Sequence, residues 1–506
     1  DFDFSAPFKS VVPLLEVKSM ILELQDDHWK SVKIEEVDTL ILNCLGMELQ
    51  LNANMPYGVL GEDLQIKVLI NNPSPLNVIL KQIKYEDKQH DLNQPLQANL
   101  LFSKNFKTKV SGAISSPYWL IQNGSQGMYT TEKTELIGDA KSPAAYLTEL
   151  SFSIEGKKLK IALPLQYRET DPVRGEVVTP FHILPQAVLQ LEAPVILFDT
   201  NQRQKVKVSV KNLGPSVSGT LKLETPKSWE LNPKSTQVDI TGKGNQSDFY
   251  FNIKAPSEAT VGYLKPVLQT PTTKLQSSLR EIAYNHIPKQ YLISPAQSKV
   301  VALNLKTGVE KVAYIKGAGD NIPQSLSAVG VEVEILKARD ITLKKLNPFD
   351  AVILGIRAFN VEESLAYKNK ILWEYVSTGG NLLIQYNTSR RLKTKRLAPL
   401  RLKISRDRVS DENADVQIIN PKHPILSHPN KITAQDFDGW VQERGLYFPN
   451  QWDEQFIPLL EMNDAGESAK KGALLVANYG KGRVVYTGLS FFRQLPAGVP
   501  GAYRLF

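Results

Sequence analysis

Apolar residues recur every third or fourth position in the first fifty residues of the chain. In "VVPLLEVKSMILELQDDHWKSVKIEEVDTLILNCLGMEL" they alternate with charged residues on the opposite face. That spacing predicts one or two amphipathic helices, ending near Gly46. From about residue 51 the period changes to two. "EDLQIKVLINNPSP", "NVILKQIKYE", "ELSFSIEGKKLKIALPLQYRE" and "VVTPFHILP" alternate apolar with polar and are broken by Pro, Asn and Gly. Short strands with frequent turns predict an antiparallel β-sandwich over residues 51–185. The same alternation in "QKVKVSVKNLG" and "TQVDITGKGNQSDFYFNIKAP" predicts a second sandwich over 186–287.

After residue 288 the pattern is different. "KVAYIKGAGD", "VEVEIL", "NPFDAVILGIRAFN" and "NLLIQYNTS" are short apolar runs separated by helical stretches, the clearest being "ESLAYKNKILWEYVSTGG". Alternating strands and helices predict an α/β doubly wound parallel sheet over 288–506. Near the end, "YGKG" between two apolar runs predicts a hairpin. The expected organisation is therefore multidomain: a helical N-terminal tail (1–50), two antiparallel β-sandwiches, and an α/β domain.

Open parallel sheets bind ligands beyond the carboxyl ends of their strands. Those ends fall at residues 317–320, 355–360 and 385–389, which makes Arg357, Gln385, Tyr386 and Asn387 candidate ligand-binding residues. "GGNLLIQYNTSRR" has the form of a strand running into a sharp polar bend, where many α/β enzymes carry a nucleophile. Here the bend holds Tyr386, and a tyrosine of ordinary acidity is a poor nucleophile at neutral pH. A second candidate region is "TAQDFDGWVQERGLYF", where Asp438, Trp440, Glu443 and Arg444 lie among aromatics. Two carboxylates there would suit general acid–base chemistry; a capped helix start with an ion pair is the alternative. Aromatics in "SSPYWL" (Tyr118, Trp119), together with Trp440, Tyr447 and Trp452, are candidates for stacking on sugar rings or for filling cores.

Composition narrows the chemistry. The 506 residues include one cysteine and six histidines. Cys44 cannot form an internal disulfide or a Cys-based zinc site, and its Leu/Ile surroundings predict a buried, inert thiol. No H-E-x-x-H stretch occurs, and His423 and His428 in "KHPILSHP" each precede a proline, a weak pattern for a metal. Neither G-x-S-x-G nor a phosphate loop is present. A formal net charge of +8 raises the question of nucleic acid. The densest basic run, "RRLKTKRLAPLRLK", has no aromatic to stack on bases and reads as a solvated loop, so no nucleic-acid partner is expected. No run of about 18 apolar residues predicts a membrane span, and "DFDFSAPFKS" lacks the basic-then-apolar pattern of a signal peptide. A start without Met and an apolar end suggest a fragment or a processed chain, the last domain being truncated at its C-terminus.

Several stretches together resemble one family. They are "WKSVKIEEVDTLILNCLGMELQL", "SSPYWL", "QYRETDPVRGEVVTPFHILP", "DRVSDENADVQI", "ITAQDFDGWVQERGLYF" and "YGKGRVVYTGLSFFRQLPAGVPGAYRLF". They are similar to the long C-terminal region of multidomain bacterial PIG-L/LmbE-type deacetylases. The second sandwich resembles modules of the NPCBM-associated type beside catalytic domains of carbohydrate-active enzymes. The last domain resembles the class I glutamine amidotransferase-like superfamily, whose nucleophilic Cys would fall near Tyr386 and is lacking here. The resemblance implies a parent protein that is an extracytoplasmic, zinc-dependent hydrolase of N-acetylglucosamine-type glycans. Its metal site, built on Ala-His-Pro-Asp-Asp, would lie in a catalytic domain preceding residue 1. This chain would carry no catalytic residue, metal ligand or cofactor. Its partners would be that deacetylase domain and a glycan or cell-envelope substrate.

Overall fold

The computed structural model describes residues 2–506 except positions 86, 87, 123 and 126. Strands hold 42% of the chain and helices 18%, so the molecule is strand-rich. The helical spacing at the N-terminus forms two helices, Val11–Leu22 and Asp27–Leu45. The second begins where the Asp26 carboxylate accepts the Trp29 N–H at 3.0 Å, and it ends at Gly46 with φ +62°. Both are ordinary helix signals, a side-chain cap and a left-handed stop. The helices do not stand apart. Val11, Leu15, Val37, Ile41 and Leu45 share one core with two sheets.

The first of those sheets orders its five strands Gly175–Pro180, Gln166–Asp171, Glu48–Ala53, Asp63–Asn71, Phe102–Lys109. The second orders four as Lys88–Pro95, Val78–Tyr85, Leu147–Ile154, Lys157–Pro164. In Asp63–Asn71 every second residue is buried, as "DLQIKVLIN" requires when one face covers a core. Leu64, Ile66, Val68 and Ile70 meet Leu80, Leu150, Phe152 and Ile154 between the sheets.

A second pair of sheets follows. One contains Ala187–Leu191, Arg203–Asn212, Gln246–Lys254 and Glu230–Asn232. The other contains Val195–Asp199, Ser298–Leu303, Thr260–Gln269, Ser216–Glu224 and Ser235–Thr241. Ser298–Leu303 lies beyond residue 287, yet it pairs parallel with Val195–Asp199 and antiparallel with Thr260–Gln269. Alternation marks a strand but not the sheet it joins, because pairing is set by distant residues.

Between these two pairs of sheets His182 sits edge-on to the Tyr291 ring, centroids 4.9 Å apart, with Nε2 buried and without a partner among the described residues. Burial pulls its pKa below the ordinary value, and the charge of Lys289 pulls the same way, while a hydrogen bond that the ring donates to the Lys289 backbone opposes. The unfolded chain, with a histidine pKa of about 6.5, then takes up the proton first. Stability from this site is full above that value. It falls as the pH drops through it and levels off below the folded pKa. Urea midpoints measured at about pH 8 and about pH 5 are expected to converge in His182→Phe relative to wild type. An unchanged gap would assign the loss to other groups.

The last sheet orders its seven strands Glu332–Leu336, Lys311–Ile315, Ala351–Leu354, Asn381–Gln385, Gly482–Thr487, Leu474–Tyr479, Ile457–Pro458. The first five run parallel; Leu474–Tyr479 pairs antiparallel with Gly482–Thr487, and Ile457–Pro458 pairs antiparallel with Leu474–Tyr479. Tyr479 pairs with Gly482 across the tight turn at "YGKG". Both faces are covered. Val312, Tyr314 and Ile353 point to a core shared with Ile322, Phe491, Leu495 and Tyr503. Ala313, Ile315, Val352 and Leu354 point to one shared with Leu365, Leu372, Tyr375 and Val376 of the helix Leu365–Ser377. No helix among the described residues is long and apolar enough to cross a membrane.

Candidate functional site

The carboxyl ends of three parallel strands, Lys311–Ile315, Ala351–Leu354 and Asn381–Gln385, are tied together by amide side chains. Gln385 is buried. Its Nε2 donates to the Tyr314 hydroxyl at 3.2 Å and to the Leu354 carbonyl at 3.3 Å. Asn387 is fully buried. Its Oδ1 accepts the Phe359 N–H at 2.9 Å and its Nδ2 donates to the Gln385 carbonyl at 2.9 Å. Asn360 fixes the next loop, donating to the carbonyls of Thr388 (3.0 Å) and Arg390 (2.9 Å) while accepting the Thr388 N–H (2.9 Å). The Tyr314 hydroxyl donates to the Asp320 carboxylate at 2.7 Å, and burial, with that carboxylate, drives its pKa far up. Apart from Gln385 Oε1, which has no partner among the described residues, these buried amides and hydroxyls are satisfied by one another, which fixes the loops rather than leaving them free to react.

Tyr386 occupies the bend. Its ring lies nearly parallel to Tyr447 (centroids 6.3 Å apart) and tilted against Phe492 (5.2 Å), with Ile356 and Leu446 completing a small apolar cluster. Burial raises its hydroxyl pKa, against the opposing charges of Arg357 and Arg493, so the phenol is protonated at neutral pH. Arg357 has a left-handed backbone (φ +58°) and donates its N–H to the Tyr386 carbonyl at 2.8 Å. Its side-chain Nε is buried without a partner among the described residues.

The stretch "TAQDFDGWVQERGLYF" divides between surface and core. Asp436 accepts the Thr433 N–H at 2.8 Å and pairs with Arg504 Nε at 2.7 Å. Trp440 is buried, donating Nε1 to the Asp436 carbonyl at 3.0 Å. Arg444 is buried against the rings of Phe437 and Trp440. It donates Nε to the Ala414 carbonyl at 2.9 Å and Nη1 to the Phe437 carbonyl, and burial pulls its pKa below the usual arginine value. Both residues pack the core. Asp438 is exposed, whereas Glu443 is buried and ion-paired to Arg493 Nε at 2.9 Å, with Arg408 at 4.0 Å. Of the candidates, Arg357, Gln385, Tyr386, Asn387 and Glu443 gather at the strand ends. Trp440 and Arg444 lie in the neighbouring core.

The remaining candidates serve local structure. His423 Nδ1 accepts the Ile425 N–H at 3.3 Å, and a His428 ring nitrogen meets the Ser427 hydroxyl at 3.1 Å. Among the described residues no three His, Cys, Asp or Glu stand close enough to hold a metal. Tyr118 is buried edge-on to Trp119 (4.9 Å), and Trp452 packs on the core beside Leu402 and Ile404. Cys44 is half-buried in the first core, and burial pushes its pKa up.

Sequence spacing does not reveal a cavity of about 340 Å³ beside this cluster, lined by Arg390, Arg406, Arg408 and Tyr447. Arg390 opens the basic run noted above, which was the visible signal. Arg406 and Tyr447 come together because the ladder between Leu402–Val409 and Gly445–Trp452 slips there. Ile404 pairs with Pro449 and Asp407 with Phe448, which leaves Ser405 and Arg406 unpaired; Arg408 then pairs with Leu446, leaving Tyr447 unpaired. Tyr447 takes φ +52° in that bulge. Bulges re-aim side chains. A second cavity, about 290 Å³, is apolar and opens on the opposite side core beside Leu326, Ile353, Leu474, Phe491 and Phe506.

No protein-family model matches this chain, and no curated protein matches it. Solved structures share parts of it weakly. An exo-β-1,4-mannosidase from Opitutaceae bacterium strain TAV5 is 11% identical over 37% of this chain and 33% of its own, with a TM-score of 0.23. A red sea bream transglutaminase is 12% identical over 53% and 34%, TM-score 0.22. A Salmonella α-2-macroglobulin is 10% identical over 50% and 16%, TM-score 0.18. The chain thus spans about a third of the mannosidase and transglutaminase and less of the macroglobulin, and likenesses this low carry no functional argument.

Proposed function

We propose that this chain is a non-catalytic accessory region of a PIG-L-type, zinc-dependent N-deacetylase, and that it positions an N-acetylglucosamine-type glycan in an extracytoplasmic setting. In this reading residues 1–50 lead out of the catalytic domain, two sandwiches follow, and the last sheet is a doubly wound domain of the amidotransferase-like kind. The observation that carries it is the packing of Tyr386. The bend that would hold a nucleophile holds a protonated phenol, wedged between Tyr447 and Phe492. Its neighbour Asn387 spends its amide on the Phe359 N–H and the Gln385 carbonyl, and Gln385 Nε2 is spent on the Leu354 carbonyl. Glu443, the carboxylate nearest to serving as a base, is held by Arg493.

The residues of this chain do not fit a zinc site, because no ligand set stands together among the described residues.

The test is acetate release from N-acetylglucosamine oligosaccharides, combined with the coding sequence upstream of Asp1. The chain alone is expected to release no acetate above a protein-free blank, and the upstream sequence to encode Ala-His-Pro-Asp-Asp. Turnover by the chain alone, or an upstream sequence without that stretch, would overturn the proposal.

A further inference from the structure

The cavity at the strand ends has a chemical character that the accessory role does not require. Three of its lining side chains are guanidiniums, from three places in the chain. Arg390 comes from the loop after Asn381–Gln385, Arg406 from the bulge, and Arg408 from the strand position two residues on. All three are exposed. Neither Arg390 nor Arg406 takes part in an ion pair among the described residues, and Arg408 has only the 4.0 Å approach to Glu443. Two more arginines stand close by. Arg357 and Arg493 both act on the Tyr386 hydroxyl, and Arg357 Nε is buried without a partner among the described residues.

Like charges gathered round one cavity repel each other, and nothing in the packing of a solvated loop demands that arrangement. The backbone nevertheless enforces it. Asn360 clamps the Arg390 carbonyl at 2.9 Å. The Ser405 hydroxyl donates to the Phe448 carbonyl at 2.8 Å and accepts the Asp407 N–H at 2.9 Å, which fixes the bulge carrying Arg406. Tyr447 holds its ring toward Tyr386 from a left-handed backbone. Guanidiniums present paired donors in a plane, the geometry that carboxylates and phosphates accept. The volume, about 340 Å³, is at the lower end of small-ligand sites.

We propose that this cavity is an oxyanion site, binding the carboxylate or phosphate group of a small ligand through Arg390, Arg406 and Arg408. The site stands whether or not the chain serves a deacetylase, since it rests on the arginines and the bulge alone.

Calorimetric titration of the whole 506-residue chain at low ionic strength tests it, with inorganic phosphate, glucuronate and N-acetylglucosamine as probes. Saturable binding is expected for phosphate or glucuronate, and excess N-acetylglucosamine is expected not to displace the bound anion. Whichever anion binds tighter assigns the site to phosphate or carboxylate. Arg390→Ala and Arg406→Ala are each expected to weaken that binding about tenfold. Arg280→Ala, an exposed arginine on the strand Ser277–Ile282, should leave it unchanged and so controls for general attraction to a basic protein. Because Arg390 and Arg406 are exposed, their variants should melt with wild type. The proposal is overturned if neither anion binds saturably. It is equally overturned if N-acetylglucosamine displaces the bound anion, or if affinity survives the Arg390→Ala/Arg406→Ala double substitution.

Discussion

Gly317→Ala is expected to destabilise the last sheet by about 3 kcal/mol or more and to abolish anion binding at its strand ends. Gly317 follows the strand Lys311–Ile315, where its backbone lies against the loop after Ala351–Leu354. A Cβ on this residue would fall 2.0 Å from the Ile356 carbonyl oxygen and 2.8 Å from the Ala358 nitrogen. Neither neighbour can give way cheaply. The Ile356 carbonyl accepts the Ala318 N–H at 2.8 Å, and the Ile356 N–H donates to Asp320 at 3.3 Å. Relief would require the two loops to part, breaking bonds that hold Arg357 and, through Tyr386, the cluster bordering the cavity. The measurement is urea unfolding followed by the fluorescence of the tryptophans, three of which (Trp373, Trp440, Trp452) lie in this part of the chain, alongside phosphate titration. A variant with a wild-type midpoint would show that the loops move apart freely and that the strand ends are not rigid.

Asn212→Ala is expected to cost the second pair of sheets about 3 kcal/mol, since each polar group orphaned in a core costs about 1–3 kcal/mol. Asn212 closes the strand Arg203–Asn212 and is fully buried. Its Nδ2 donates to the carbonyls of Gly214 (2.8 Å) and Gly242 (2.9 Å), and its Oδ1 accepts the Gly214 N–H at 3.1 Å. One side chain therefore satisfies three backbone groups from two turns. Alanine would strand them and leave a small void. Trp229, buried edge-on to Phe198 in the same core, reports the loss. In a background where the other tryptophans are phenylalanine, the Trp229 transition should shift to lower urea on Asn212→Ala, while in a background lacking only Trp229 the transition read by Trp373, Trp440 and Trp452 stays in place. Equal midpoints would mean that water replaces the asparagine without penalty.

The spacing of apolar residues determined a good deal of this protein by itself. A period near 3.6 before Gly46 and a period of two after residue 51 are local properties, because each follows from which neighbours share a face. The helices Val11–Leu22 and Asp27–Leu45 and the alternation of Asp63–Asn71 appear where those periods lie. The turn at "YGKG" was legible for the same reason. The end of Asn381–Gln385 was legible too, because a strand that runs into a polar bend announces its own end.

Only the tertiary structure decided the rest. Ser298–Leu303 reads as a strand, but its partners lie about 100 residues and 40 residues away, so no local pattern assigns its sheet. Trp440 and Glu443 are three residues apart, yet one fills a core and the other pairs with Arg493, fifty positions downstream in the chain. The cavity arginines were hidden most completely. "RRLKTKR" and "SRDRV" look like solvated charge, and in an isolated strand they would be. A slipped register between Leu402–Val409 and Gly445–Trp452 leaves Arg406 and Tyr447 unpaired, and that slip brings them to Arg390. Register is a property of two strands at once, and the energy that sets it comes from the cores on either side. A single strand's residues do not contain it.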